Sequence, residues 1–256
     1  MKLIKNIILF TLIIFIFTGA TQKAYCKTSK IDIEVETKDA HIMKATLSYI
    51  KIKDKKKYPT IVLLHSLGYS SEDWGNLIPD LNNAGYAVLA IDLRGHGKSI
   101  YNAKFQIKSW TYFTAKTYQK FPTDVVAVLK QAQKQSKKID FTNWAIVGAD
   151  IGANTAILAT KAFYPKPKAM VLISPSMDFK GLYVPIVMTE IGTMPILSMV
   201  SLQDDYSVQE QKKLSKFAQG AFYAKNYTTG GMGMMMLTTN PGMSKDITGW
   251  LKTVVK

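Results

Sequence analysis

The chain has 256 residues, 47% of them hydrophobic and 20% charged, with a formal net charge of +15. That length is ample for one α/β domain, and the lone Cys26 excludes a disulfide within the chain, so a packed core must hold the fold. The positive field favours anionic partners such as lipid headgroups or cell-wall polymers, and no nucleic-acid motif accompanies it, so nucleic acid is not expected as a partner.

Residues 1–26 have the make-up of an export signal. Lys2 and Lys5 form a basic start, Ile7 to Phe17 is apolar, and Thr18-Gly19-Ala20 supplies small residues for cleavage. Ala24-Tyr25-Cys26 offers a second cleavage point, so the cut is expected near Ala20 or Cys26. The apolar run is too short to span a bilayer comfortably. Tyr25 is not the small residue that lipid anchoring at Cys26 would want, which ranks anchoring below plain secretion to a periplasmic or extracellular location. Because residues 1–26 hold three lysines and no acid, their removal would leave +12.

The rest, 27–256, is read as a single domain. Ile31 to Glu36 and Ile42 to Ile50 alternate apolar with polar residues, which predicts an antiparallel hairpin. His41, between them, is expected on the surface. The run Lys51-Ile52-Lys53-Asp54-Lys55-Lys56-Lys57 reads as a solvated hairpin turn. Continuous apolar runs follow at Thr60 to Leu64, Tyr86 to Ile91, Trp144 to Val147, Ala169 to Ile173 and Ile196 to Val200, as strands buried on both faces of a parallel sheet would have. Ala221 to Tyr227 predicts a last, more exposed strand. Helical patterns lie between them: Ser71 to Asn83, closed by Gly85; Phe121 to Ser136, with Pro122 and Asp124 in the first turn; Ile151 to Phe163; Ser207 to Phe217; and Ser244 to Val255. The alternation predicts one doubly wound α/β domain with a mostly parallel sheet of about eight strands.

Three segments carry a resemblance. Gly148-Ala149-Asp150-Ile151-Gly152 lies between a strand-like and a helix-like run, Leu63-Leu64-His65-Ser66-Leu67-Gly68 follows a buried strand, and Asp92-Leu93-Arg94-Gly95-His96-Gly97-Lys98-Ser99 follows the next. In this order the segments resemble the nucleophile elbow, the HG-type loop and the D-x-R-G-H-G-x-S segment of the α/β-hydrolase superfamily, in its esterase, lipase and serine-aminopeptidase-like branch. The resemblance implies the α/β-hydrolase fold. Between Ile173 and Ile196 there is too little chain for a cap domain.

It also implies a catalytic order of nucleophile, acid and histidine, and the matching positions hold other residues. Asp150 stands at the nucleophile position. The acid position falls on Asp205, three before Val208, with Asp204 as fallback and helix capping as the competing role for either. Met232, in Gly231-Met232-Gly233-Met234-Met235-Met236-Leu237, stands where the family has its histidine. His41, His65 and His96 all precede the elbow, and His65 and His96 are read as structural. The oxyanion hole would be formed by the N–H of Ile151 and one from the Ser66–Leu67 loop. Asp150 would sit where those donors point, like a bound product. The methionine cluster reads either as a loop packed on the core or as an adaptable binding lip.

Losing nucleophile or base costs a triad enzyme on the order of 10⁶ in turnover. The expectation is therefore an exported pseudoenzyme that binds a small molecule in a residual pocket, or an anionic lipid or cell-wall surface, with no cofactor and no metal. Two alternatives are an active hydrolase using Asp150 as nucleophile on an ester, halide or epoxide, and a purely interacting envelope protein. Haloalkane dehalogenases and epoxide hydrolases place aspartate at this elbow, but the second step there needs a histidine, and Ile151 replaces the tryptophan that often follows.

Overall fold

A computed structural model describes residues 28–256; the expected export signal, with its cleavage points near Ala20 and Cys26, lies outside them. The two alternating segments form β1 (Thr28–Glu36) and β2 (Ile42–Ile50), paired antiparallel along their whole length. The apolar runs form β3 (Tyr58–Leu64), β4 (Ala87–Asp92), β5 (Ile139–Ala149) and β6 (Ala169–Ile173). After a two-residue hairpin of β7 (Asp178–Phe179) and β8 (Leu182–Tyr183) come β9 (Ile196–Ser201) and β10 (Phe222–Tyr227). Eight strands make one sheet in the order β1-β2-β4-β3-β5-β6-β9-β10, antiparallel only where β2 meets β1 and β4. This is the α/β-hydrolase fold without a cap domain, since β6 and β9 are separated only by the small hairpin and a short helix.

The helices are α1 (Leu77–Asn83), α2 (Ala115–Tyr118), α3 (Phe121–Gln135), α4 (Ile151–Ala162), α5 (Pro185–Glu190), α6 (Asp205–Ser215), α7 (Met235–Thr239) and α8 (Met243–Val254). The segment expected as one helix from Ser71 splits into a 3₁₀ turn, Ser71–Trp74, and α1, because Gly75 takes φ +52° between them. One apolar cluster, including Val62, Leu89, Val125 and Ile157, fills the face under α3 and α4. A second, including Leu63, Val147, Leu197 and Ile247, fills the opposite face under α1 and α8. Each central strand serves both, which is why their sequences are apolar without alternation.

Two expectations are corrected. The lysine run 51–57 is not a hairpin turn between neighbouring strands: β3 skips one place, and β4 fills the gap between it and β2. The Lys55 ammonium donates to the carbonyl of Gly85 (3.0 Å), just before β4, so part of this basic run ties the crossing to the sheet. His41 is not on the surface. It is 2% exposed, because the chain after β4 returns to bridge His41 with Asn102, leaving the ring Nε2 2.8 Å from the carbonyl of Ser99.

Candidate functional site

The strand register brings the carboxyl ends of β3, β4, β5, β6 and β9 together, Leu64 lying beside Ile91 and Gly148, and Gly148 beside Leu172. Ligand-handling groups in open α/β sheets gather at such an edge. The turn from β5 to α4 is tight. A Cβ on Gly152 would lie 2.1 Å from the carbonyl oxygen of Leu64, and one on Gly148 would lie 2.3 Å from that of Gly152, so only glycine fits at either place. Between them Asp150 is held at φ 54° and ψ −117°, a conformation costing a side-chain-bearing residue roughly 1–3 kcal/mol. Its N–H donates to the carbonyl of Ile173 (2.8 Å) and its own carbonyl accepts from Ala153 (2.9 Å).

The Asp150 side chain does not cap its own helix. It turns to the β3 loop, where Oδ2 accepts from the backbone N–H of Leu67 (3.1 Å), while Oδ1 is buried without a hydrogen-bond partner. The residue is 3% exposed. Burial lifts its carboxyl from 3.8 to about 6; the N–H groups of Leu67 and Ile151 pull against that, and the charge of Asp204 pushes it further up.

Over this carboxylate lies the loop after β10. Gly233, at φ +58°, sits so close that a Cβ there would be 2.3 Å from the Ser66 Oγ and 3.1 Å from the Asp150 Cβ. Two serines clamp it down: the Ser174 Oγ accepts from the Gly233 N–H and the Ser66 Oγ from the Met234 N–H, both at 2.9 Å. The methionine cluster divides accordingly. Met234 and Met236 are buried in the core, whereas Met232 and Met235 are 38% and 52% exposed.

The structure thus gathers Asp150, Ser66, Leu67 and Ile151 with Gly233, and leaves Met232, the residue before Gly233, partly exposed. Asp204 caps the start of α6, accepting from the Ser207 N–H (3.2 Å) and hydroxyl, and its charge acts on Asp150. Asp205, the next residue, is exposed. Sequence reading missed Ser174, at φ 48° directly after β6. Its one available signal was its place at the carboxyl end of a strand.

His65 is a strut. Its Nε2 accepts from the Leu93 N–H (2.9 Å), so Nδ1 carries the proton facing the Ser66 carbonyl (2.8 Å). Burial lowers it to about 4 and the neighbouring His96 likewise to about 4, which leaves both neutral at pH 7. Among the described residues no group of three His, Cys, Asp or Glu is placed to hold a metal ion. Two clefts of about 450 and 540 Å³ flank Arg94 and Asp39, and neither is lined by Asp150.

Residues 55–245, three-quarters of the chain and all of the site segments above, match the family model for serine aminopeptidase, S33. The chain belongs to that family. Over 98 residues it is also 35% identical to epoxide hydrolase B of Mycobacterium tuberculosis, a match covering 38% of this chain and only 23% of that relative. Among solved structures it is similar to a dienelactone hydrolase from Anabaena variabilis (TM-score 0.67, 14% identity, 90% of this chain and 99% of that one). It is similar too to an acetyl xylan esterase from a Paenibacillus species (TM-score 0.68, 16% identity, 91% and 86%). At such identities these likenesses establish the fold alone.

Within this S33-family site, the buried Asp150 carboxyl makes a stability prediction. Its folded value of about 6 lies above the ordinary 3.8, so as pH rises from 4 the unfolded chain releases its proton first. Folding is progressively disfavoured, and the full cost is reached above pH 6. Asp150→Asn cannot ionise. Its stability relative to the wild type is expected to rise by roughly 2–3 kcal/mol between pH 4 and pH 8, read from urea unfolding at the two values. A pH-independent difference would show that the carboxyl is not held up in the fold.

Proposed function

We propose that the protein is an exported S33-family hydrolase-fold member whose catalytic centre is silent and whose role is binding. The observation that carries this reading is the hydrogen bond from the Leu67 N–H to the Asp150 carboxylate, because it engages a backbone donor that an acyl substrate's oxyanion would need. The other parts of the argument agree. Asp150 is buried beneath a clamped loop, Met232 has no proton to exchange, and both ring nitrogens of His65 are committed. The basic surface, rather than the closed centre, carries the binding role. The export proposal is supported by the composition of residues 1–26.

A second reading is favoured by one observation, the likeness of 98 residues to an epoxide hydrolase. In that reading the Asp150 carboxylate attacks an electrophilic carbon, opening an epoxide or displacing a halide to leave an ester, which water then cleaves. Asp150 would have to leave Leu67, and a base other than histidine would have to activate the water.

Both readings meet one test. The wild type and Asp150→Ala are assayed on a p-nitrophenyl ester, a styrene-type epoxide and a short bromoalkane, with release of phenol, diol and halide measured. The expected result is background rate for both proteins on all three. Turnover of any substrate by the wild type that Asp150→Ala abolishes would replace the first reading with the second.

A further inference from the structure

We infer that the loop between β4 and α3 is a docking surface for an anionic phospholipid bilayer, with Phe105, Ile107 and Tyr112 entering the interface and lysines around them holding the headgroups. The inference does not depend on whether Asp150 is silent or reactive.

Between Gly95 and Lys120 the chain has five lysines and no acid. Lys98 pairs with Glu72 and Lys120 with Asp39, but among the described residues Lys104, Lys108 and Lys116 have no ion pair. Interleaved with these free cations are the most exposed large hydrophobics of the loop: Tyr112 at 87%, Phe105 at 85% and Ile107 at 65%. All three come from this one loop, and Ile107, Lys108 and Tyr112 line a common cleft.

The loop is also built to keep them there. Phe105 forms the tip of a turn in which its own N–H donates to the Asn102 carbonyl (2.9 Å). The Asn102 Oδ1 accepts from the N–H groups of Lys104 (3.0 Å) and Gln106 (2.9 Å), and Tyr101 bridges to Ile107 across the base. The turn forces Phe105 to φ 57°, an unfavourable conformation for a bulky residue. A side chain that is 85% exposed is thus displayed by a strained, hydrogen-bonded turn. Behind it the loop is braced by Trp110, stacked on His96 at 5.5 Å, and by the donation of Trp110 N–H to the Gly95 carbonyl.

The occupant follows from the chemistry. Aromatic and aliphatic side chains backed by lysines suit the boundary between headgroups and acyl chains, where the apolar tips lose water and the ammonium groups meet phosphate. The chain's net charge of +15 adds long-range attraction to an anionic leaflet. A purely polyanionic partner would gain nothing from Phe105 or Ile107.

The test uses the full chain, so that residues 1–27 are common to every arm, and vesicles of phosphatidylcholine alone or with one-third phosphatidylglycerol. Sedimentation should show binding that rises with phosphatidylglycerol content. The triple variant Lys104→Gln/Lys108→Gln/Lys116→Gln should bind the anionic vesicles about 100-fold more weakly, from about fivefold per lysine. Phe105→Ser/Tyr112→Ser should bind on the order of tenfold more weakly. These positions are exposed, so thermal unfolding should be unchanged. In Phe105→Trp, the emission should shift to the blue on binding and be quenched by acyl-brominated lipid. Variants that bind the anionic vesicles as the wild type does would overturn the inference. So would bound protein whose Phe105→Trp emission is neither shifted nor quenched, because that pattern describes surface adsorption of the kind a wall polymer would also give.

Discussion

Asp150→Ser/Met232→His is expected to hydrolyse p-nitrophenyl acetate at least 100-fold faster than the wild type, with neither single variant above it. In the wild type the Leu67 N–H is engaged by the Asp150 Oδ2 at 3.1 Å. Serine is shorter and neutral, so it frees that donor for the oxyanion of a tetrahedral intermediate. Serine alone remains a poor nucleophile, because its proton has no acceptor of suitable basicity. The imidazole at 232 supplies one, and Met232 is already 38% exposed, so the ring needs no repacking of the core. Triad members act as a unit, which is why each single change is expected to do almost nothing. Full restoration is not expected. Asp204 is the acid whose charge reaches residue 150, and it is engaged by Ser207 at the start of α6, so the imidazole would be imperfectly oriented. The gain should disappear on adding Leu67→Pro, which removes the freed N–H while leaving serine and histidine in place. A double variant that folds, as judged by its near-ultraviolet dichroism, and still shows background rate would mean that the loop clamped by Ser66 and Ser174 excludes substrate.

The difference between what the sequence discloses and what it hides follows the range of the interactions. Apolar runs and turn residues are local signals, so most large-sheet strands and longer helices can be read directly. The spacing of Gly148 and Gly152 around Asp150 is legible for the same reason: a carbonyl within about 2 Å of a would-be Cβ forbids every other residue, and that constraint is written in the glycines themselves. Strand order is not local. Nothing in Lys51–Lys57 announces that β3 will leave a place for β4. The clamp on Gly233 joins residues 59 and 168 positions apart, and His41 is buried only because a segment some sixty residues later covers it. Asp204 and Asp205 differ by one position at a helix start, yet the first caps the helix and acts on Asp150 through its charge while the second is exposed. Counting along the motif cannot resolve such a step.

Arg94→Met is expected to cost about 3–5 kcal/mol of stability, the range for breaking a buried ion pair by removing one partner, with a fall in Tm on the order of 10 °C. Arg94 is 5% exposed. Its Nε and Nη2 donate to the two oxygens of Asp124 (2.6 and 2.8 Å), and its Nη1 and Nη2 to those of Asp39 (2.9 and 2.8 Å). One guanidinium therefore ties the end of β4 to the first turn of α3 and to the turn between β1 and β2. Asp124, 3% exposed, would be left as a buried charge without its partner. Removing both charges should hurt less than removing one, so Arg94→Met/Asp124→Leu is expected to recover a measurable part of the loss in urea unfolding. Arg94→Lys should fall between, keeping the charge but not the paired fork. The hydrogen bonds from Arg94 hold the Asp39 carboxyl well below the usual carboxylate range, against its partial burial and with help from Lys120 and Thr37. The sign is that of a depressed acid: the contribution is complete above about pH 4 and is lost only as pH falls towards the folded value. Wild type should therefore keep this part of its stability under moderately acidic conditions, where Arg94→Met has none to keep. A single variant within about 1 kcal/mol of wild type, or a double variant no better than the single, would show that the guanidinium does not carry the junction.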